Sequence, residues 1–350
     1  MGKIKKALLN ATFLIGLVAI TIYYTLKDCS VSEIFYAIEH SNAIWLIPAV
    51  VLVFTFVCGE SVIMRYLYNL LGTSIKLIRC IKYSFVGFFY SCVTPSASGG
   101  QPMQLFYMTK DKYNVSESCL VLLLITVGYK AALVVMSGVL FMVEGSFILE
   151  HLSSVVYIFI YGIIVNIAFI SFLLILVFNE KLLKKMVSGL AKLLHKIKIV
   201  KDIEGFEKKI LCQMEPYREG AEYLKKNVIV FFHVLWMSIV QRTMLFLVTW
   251  FVYRSFGLNE ISAIQIVALQ TIISLSVDML PLPGGVGASE KSFSIMFATI
   301  FGAQLVIPGL VVSRGISYYF LLLVSGIISV GVHILMMYRE QKARKDENQC

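Results

Sequence analysis

The chain has few charged residues for its length, and this scarcity is its most informative feature. Only 15% of its 350 residues are charged, whereas 58% are hydrophobic, and the mean hydropathy is +0.82. Ordinary soluble domains carry about 25% charged residues. The composition therefore excludes an ordinary soluble domain and predicts an all-α polytopic membrane protein, with residues 1–350 forming a single membrane domain.

The sequence also lacks the patterns that indicate metal, nucleotide or acid/base chemistry. Its seven cysteines include no C-x-x-C pair and no histidine at ligand spacing, which favours small apolar fillers over a disulfide framework or a zinc site. The glycines near position 285 do not fit a dinucleotide or P-loop fingerprint. We therefore predict no catalytic residues, no metal and no cofactor.

Basic residues exceed acidic ones, 31 to 21, for a formal net charge of +10. They sort by loop and form no patch interleaved with aromatic residues, so they indicate membrane topology and not nucleic-acid binding. The segment 179–227 is the most basic and is predicted to be a cytoplasmic connection. It includes an amphipathic pattern that fits either an interfacial helix on lipid headgroups or a surface helix packed on the membrane domain.

Long apolar runs predict about six full spans, because a bilayer core of about 30 Å needs about 20 helical residues. The distribution of lysine and arginine puts both termini on the cytoplasmic side. The first run follows three lysines and is interpreted as a retained anchor, since no small-x-small site for signal cleavage follows it. The predicted spans are Ala7–Leu26, Ala43–Tyr66, Ser118–Val143, Tyr157–Phe178, Val228–Tyr253 and Val306–Met337.

Two further apolar segments, 83–108 and 261–302, are interrupted by glycine, proline and polar residues. The interruptions are TPSASGGQPMQ, from Thr94, and DMLPLPGGVGASE, from Asp278. Loop charges require the first segment to begin and end inside, and parity requires the second to begin and end outside. We therefore predict two re-entrant helical hairpins in an inverted-topology repeat, the arrangement that builds substrate sites near the membrane midplane. Non-helical backbone at that depth needs protein, water or substrate to satisfy its polar groups.

The interruptions supply the candidate site for a lipid headgroup. Loop amides and serine hydroxyls suit an anion, although Gly99-Gly100 also suits close packing of two helices. Arg314 is expected to pair with Glu290 or Asp278, either as part of the site or as a purely structural ion pair. Weaker candidates are Lys130, Gln241, Arg242 and Gln270. The predicted headgroup-binding residues are Ser98, Gly99, Gly100, Gln101, Pro283, Gly284, Gly285, Gly287, Asp278, Glu290 and Arg314.

The two interruptions, together with the arginine of SRGISYYF, resemble the lysylphosphatidylglycerol synthase transmembrane family, also called the flippase-like domain family. This is the N-terminal membrane part of the bacterial multiple peptide resistance factor, a protein linked to antibiotic resistance. The resemblance extends over nearly the whole chain. It implies a bacterial plasma membrane, paired re-entrant hairpins, and movement of an aminoacylated or other anionic phospholipid between leaflets.

The full resistance factor continues into a soluble domain that transfers lysine from its tRNA to phosphatidylglycerol, and we expect this chain to lack it. An alternative function is therefore phosphatidylglycerol lysyltransferase activity, or a membrane subunit that presents lipid to such an enzyme. The expected partners are a membrane phospholipid and either a separate transferase or a second copy of the chain. No nucleic acid is expected in the domain itself.

Overall fold

Helices account for every regular element that the computed structural model describes, which confirms the all-α prediction. The structure describes residues 41–152, 155–179 and 215–347, with a few isolated positions outside these ranges. The predicted span Ala7–Leu26 and most of the basic segment 179–227 lie outside them. The helices are α1 Ala43–Leu70, α2 Leu77–Val93, α3 Gly100–Lys110, α4 Val115–Leu152, α5 Val156–Phe178, α6 Glu215–Lys226, α7 Ile229–Ser255, α8 Ala263–Val277, α9 Ala288–Met296, α10 Ala298–Arg314, a π-helix Gly315–Phe320, and α11 Leu321–Glu347.

Five helical stretches are long and apolar enough to cross a bilayer, and they coincide with the five predicted spans that fall in the described ranges. They are α1, α4, α5, α7 and the continuous run Ala298–Arg339. The 28 residues of α1 extend about 42 Å at 1.5 Å per residue, more than the hydrocarbon core of about 30 Å. Asn42 begins α1 by accepting a hydrogen bond from the Ile44 amide at 3.0 Å, which satisfies one of the otherwise unpaired donors at this end.

The two interrupted segments each form a pair of helices that are too short to cross alone. α2 has 17 residues and α8 has 15, which correspond to about 26 and 23 Å. Their partners α3 and α9 have 11 and 9 residues. Each segment is therefore broken where its glycines and prolines indicated.

The order of elements in α1–α4 recurs in α7–α11: a long helix, a short helix, a break, a second short helix and a long helical run. The two breaks contact each other through an isolated antiparallel bridge between Pro95 and Pro283, which lie 188 residues apart. Each proline is followed by a four-residue turn, and the next helix begins at Gly100 or Ala288, again 188 residues apart. The two halves thus match in the order of their elements and in the spacing at the breaks, and α5 and α6 connect them.

Each interrupted segment has its own apolar core. One buried cluster packs α2 and α3 against α1, α4 and the start of α7. Another packs α8 and α9 against α4, α7 and α10. A smaller cluster of Phe89, Cys92, Tyr318 and Leu322 joins α2 to the last helical run. This third cluster lies beside the breaks, because Cys92 precedes the first break and Tyr318 contacts the second.

Gly100 explains how α3 lies directly on α2. A β-carbon at this position would lie 2.0 Å from Ser91 Oγ and 2.6 Å from the carbonyl oxygen of Gly87. Helices in membranes associate through such close approaches, because burial of apolar surface gives them little driving force there. The close-packing interpretation of the first glycine pair therefore holds for Gly100.

Candidate functional site

The two breaks meet side by side, and their tips remain accessible. Besides the proline bridge, Ser96 Oγ donates a hydrogen bond of 3.1 Å to the carbonyl oxygen of Leu280. The side chains of Ala97 and Ser98 on one tip, and of Leu282 and Pro283 on the other, are exposed. The meeting point thus combines shared backbone hydrogen bonding with an accessible surface.

The first break does not present the free amides that its sequence suggested. The Ala97 and Ser98 amides donate to the carbonyl oxygens of Thr94 and Pro95, at 3.3 and 3.1 Å. The Gly99 amide donates to Thr94 Oγ1 at 2.8 Å. These bonds occupy the donors that would otherwise hold an anion, because the turn and its threonine cap already satisfy them. A headgroup contact at Ser98 therefore has to come from its hydroxyl, and Gly99, whose amide is already bonded, has no side chain to offer one.

The second break is closed in a similar way. The Gly285 amide donates to Leu282 at 3.2 Å, and the Val286 amide donates to Pro283 at 3.1 Å. The Gly287 amide donates to Glu290 Oε2 at 2.6 Å, as the first turn of α9 forms. A carboxylate in the first turn of a helix is favoured by the helix dipole. Glu290 thus shapes the break as well as facing it.

Gly284 is required at its position for two reasons. Its φ of +58° lies in the left-handed region. A β-carbon here would also lie 2.0 Å from the hydroxyl oxygen of Tyr318. That hydroxyl in turn donates to the carbonyl oxygen of Cys92 at 3.1 Å, so Tyr318 links the last helical run to both breaks.

The Glu290–Arg314 ion pair is the most accessible charged pair at the breaks. Arg314 Nε lies 2.9 Å from Glu290 Oε1, and Arg314 Nη2 donates to the Gly284 carbonyl oxygen at 3.4 Å. Tyr319 donates to the same carboxylate oxygen at 3.3 Å. The side chains of Arg314 and Glu290 are 17% and 22% exposed. Of the two partners considered for Arg314, the structure therefore selects Glu290 and leaves the pair partly exposed.

The π-helix Gly315–Phe320 begins directly after Arg314. Such wider turns occur mostly as single insertions in α-helices and are frequent at functional sites. Here Arg314 and Tyr319 contact Glu290, and Tyr318 contacts the second break. The wider turn thus brings three polar side chains of one helix to the same loop.

Asp278 belongs to a second and more enclosed pair. It accepts hydrogen bonds from Lys130 and from Tyr129, both on α4. The side chains of Lys130 and Asp278 are each 8% exposed, well below the values at Glu290 and Arg314. Lys130 and Tyr318 occupy corresponding positions in the two halves, because they lie 188 residues apart. Lys130 contacts Asp278 at the end of α8, and Tyr318 contacts Cys92 near the end of α2. Each residue thus contacts the end of the short helix in the other half.

Arg242 extends this enclosed cluster to α7. Its guanidinium carbon lies 3.7 Å from the ring centroid of Tyr129 and 5.0 Å from that of Phe56. Cations over aromatic faces are stabilised by the ring quadrupole. Its Nε atom is buried without a hydrogen-bond acceptor. Arg242 and Lys130 were only weak candidates in the sequence, since nothing in their local pattern distinguishes them.

Gln101 does not line the meeting point. Its side-chain amide donates to Thr126 Oγ1 and, at 3.3 Å, to the carbonyl oxygen of Leu122, and so ties α3 to α4. A neighbouring contact that the sequence did not indicate joins Gln104 Nε2 to Glu60 Oε1 at 2.5 Å. The one feature of the sequence that pointed to this contact is Glu60, because a carboxylate within a predicted span is rare and needs a partner.

Comparison with known proteins gives one match. The family model described as the lysylphosphatidylglycerol synthase TM region matches residues 11–325. A search of curated proteins finds no match. In the described ranges no group of three or more His, Cys, Asp or Glu residues is arranged to hold a metal ion. The family match includes both breaks, both ion pairs and Arg242.

Proposed function

The chain belongs to the lysylphosphatidylglycerol synthase TM family, a family of lipid-related membrane domains, and from this premise we propose that it moves an anionic or aminoacylated phospholipid between leaflets. The observation that carries the proposal is the meeting of the two breaks beside a partly exposed ion pair. An ion pair at this depth is costly unless it faces a cavity, a partner or a substrate. A headgroup that competes for one of its members is such a substrate.

The headgroup contacts follow from the side chains at the breaks. Arg314 can offer two parallel N–H donors to a phosphate, a geometry that suits guanidinium groups. The exposed hydroxyl of Ser98 adds a donor from the first break. On an aminoacylated lipid, the ammonium group would replace Arg314 at Glu290. The acyl chains stay in the bilayer throughout.

The matching halves support an inverted-topology repeat in which the first segment enters from the cytoplasmic side and the second from the opposite side. Under this arrangement the two breaks can open alternately to each leaflet. We place the protein in a bacterial plasma membrane with both termini in the cytoplasm. Labelling of single cysteines in the α4–α5 and α7–α8 connections by an impermeant reagent tests that orientation, since both should react from outside.

Proteoliposomes with a trace of fluorescent phosphatidylglycerol test transport directly. A quencher added outside should remove only the outer half of the signal in empty vesicles and nearly all of it with the protein present. Labelled phosphatidylcholine serves as the matched lipid, and Arg314→Gln as the matched protein. A rate no higher than that of empty vesicles, from protein that is folded and inserted, would refute the proposal.

The family description also names a synthase, which favours a second candidate: phosphatidylglycerol lysyltransferase activity, or presentation of lipid to a transferase on another chain. Purified protein incubated with lysyl-tRNA and phosphatidylglycerol distinguishes the two, because the enzyme alone would form lysyl-lipid. Product that appears only when a transferase is added would indicate presentation. A second copy of the chain is a further expected partner, which the mass of the detergent-solubilised particle tests.

A further inference from the structure

A groove with a volume of about 610 Å³ lies between α4, α5, α6 and α7. Its walls include Val127 and Ala131 from α4, Leu174 from α5, and Phe232 from α7. Lys225, near the end of α6, is its charged lining residue. None of the residues at the breaks lines it, so the groove is separate from the proposed transport site.

Helices of the membrane-spanning type form most of the groove, so its neighbours in a bilayer would be acyl chains. Three of its walls come from α4, α5 and α7, which are long and apolar enough to cross a bilayer. An apolar recess in such walls gains by taking up an apolar chain, as ligand pockets of similar size do.

One end of the groove carries positive charge. Lys225 and Lys226 are both exposed and end the amphipathic helix α6, which is anchored by the buried side chain of Leu224. α7 begins shortly afterwards at Ile229, so the lysines lie where a spanning helix starts. Basic side chains at the membrane surface attract anionic lipids. The groove therefore combines an apolar body with a cationic mouth, the complement of an anionic phospholipid.

We propose that this groove binds one anionic phospholipid as a resident ligand, with an acyl chain along Ala131 and Leu174 and the headgroup at Lys225 and Lys226. This lipid is not the transported one. It would hold α6 against α4 and α5, and so brace the connection between the two matching halves. Its chemistry is that of any anionic glycerophospholipid, and phosphatidylglycerol is the probe.

To test the proposal, the full-length protein is titrated with dioleoyl-phosphatidylglycerol or dioleoyl-phosphatidylcholine, and the lipid that it retains is measured by native mass spectrometry. We expect one retained phosphatidylglycerol and weaker retention of phosphatidylcholine. The double variant Lys225→Gln, Lys226→Gln should lower the preference for phosphatidylglycerol over phosphatidylcholine by roughly fivefold for each lysine removed. Lys76→Gln, at another exposed basic position, is the matched control and should leave the preference unchanged.

Filling the groove gives an independent test of the chain position. Ala131→Phe should abolish retention of the lipid. If phenylalanine impairs folding, the smaller change Ala131→Leu should still weaken retention. Ile164→Phe controls for added bulk, because Ile164 is a 61% exposed residue of α5 that does not line the groove. Equal retention of the two lipids by the unaltered chain, or identical behaviour of Ala131→Phe and Ile164→Phe, would refute the proposal.

The same measurement separates this site from transport. Arg314→Gln, which should stop transport, is expected to retain the groove lipid fully. If Arg314→Gln loses the lipid while the lysine variants keep it, the retained lipid lies at the breaks and the groove assignment is wrong. If transport fails in the unaltered chain but groove binding follows the lysines, only the proposed transport function is refuted.

Discussion

Replacing Glu290 with glutamine should separate lipid binding from lipid movement. In the proposed mechanism a phosphate competes with Glu290 for the guanidinium of Arg314. Removing the charge of Glu290 weakens the competitor, so an anionic headgroup should bind more tightly. The same change should slow transport, because no carboxylate is then present to pair with Arg314 as the headgroup leaves.

The contacts of Glu290 set the size of these effects. The carboxylate accepts from Arg314 at 2.9 Å, from Tyr319 at 3.3 Å and from the Gly287 amide at 2.6 Å. Breaking a fully buried pair costs about 3–5 kcal/mol, but these side chains are 17% and 22% exposed. We therefore expect a loss of about 2 kcal/mol in unfolding free energy. Transferred to the phosphate, the same amount would tighten binding roughly 30-fold.

Three measurements on the same preparations test this prediction: lipid affinity by titration, transport rate in proteoliposomes, and thermal unfolding. Asp111→Asn is the matched control, because the Lys82–Asp111 pair is similarly exposed, at 25% and 20%, and lies away from the breaks. It should lower stability without changing affinity. Arg314→Gln should lower both affinity and transport.

The competition mechanism and a purely structural ion pair predict different effects of Glu290→Gln on lipid affinity. If the pair only holds α9 against the last helical run, Glu290→Gln and Arg314→Gln will destabilise alike and neither will tighten lipid binding. Unchanged or weakened affinity in a folded Glu290→Gln protein would thus refute the reasoning.

Three further predictions concern single contacts. Gly284→Ala should lower stability by several kcal/mol, because the added β-carbon would clash with Tyr318. Gly287 also has a positive φ but no atom within 4 Å of an added β-carbon, so Gly287→Ala should cost only the backbone strain of about 1–2 kcal/mol. Thermal unfolding of the two variants compares these losses. Lys130→Met should destabilise by about 3–5 kcal/mol because it leaves Asp278 buried and unpaired, and adding Asp278→Leu should recover most of that loss; additive losses would contradict the pairing. Although burial opposes ionisation, hydrogen bonds from Lys82 and Tyr83 hold the pKa of Asp111 below its ordinary value. Ionised Asp111 therefore stabilises the protein above its ordinary pKa of about 4, and this stabilisation is lost as the pH falls through the lowered pKa. Acid unfolding of Asp111→Asn should lack this pH-dependent loss.

The spans and breaks were predictable from sequence because they depend on local properties. A run of about 20 apolar residues can satisfy its backbone in lipid only as a helix, and glycine with proline interrupts it. Arg314 and Glu290 were found because charges are rare in such segments. These features needed no knowledge of which helices are neighbours.

The partners were not predictable in the same way. Lys130 and Asp278 are 148 residues apart, and only the packing of α4 against α8 brings them together. The Gly99 amide, one donor of the predicted nest, is bonded instead to the hydroxyl of Thr94 at the start of the same interruption. The packing site of Gln101 on α4 likewise depends on where α3 lies.

The two turns after the paired prolines have the same length but not the same backbone energy. Ser96 and Ala97 have φ of +51° and +54°, where the second half has Gly284 and Gly285 at +58° and +66°. Left-handed geometry costs a side-chain-bearing residue about 1–2 kcal/mol and a glycine almost nothing. The first turn thus carries about 2–4 kcal/mol of backbone strain that the second does not. If the halves open alternately, as proposed, an opening that relaxes the serine–alanine turn is favoured by a factor of at least roughly 30.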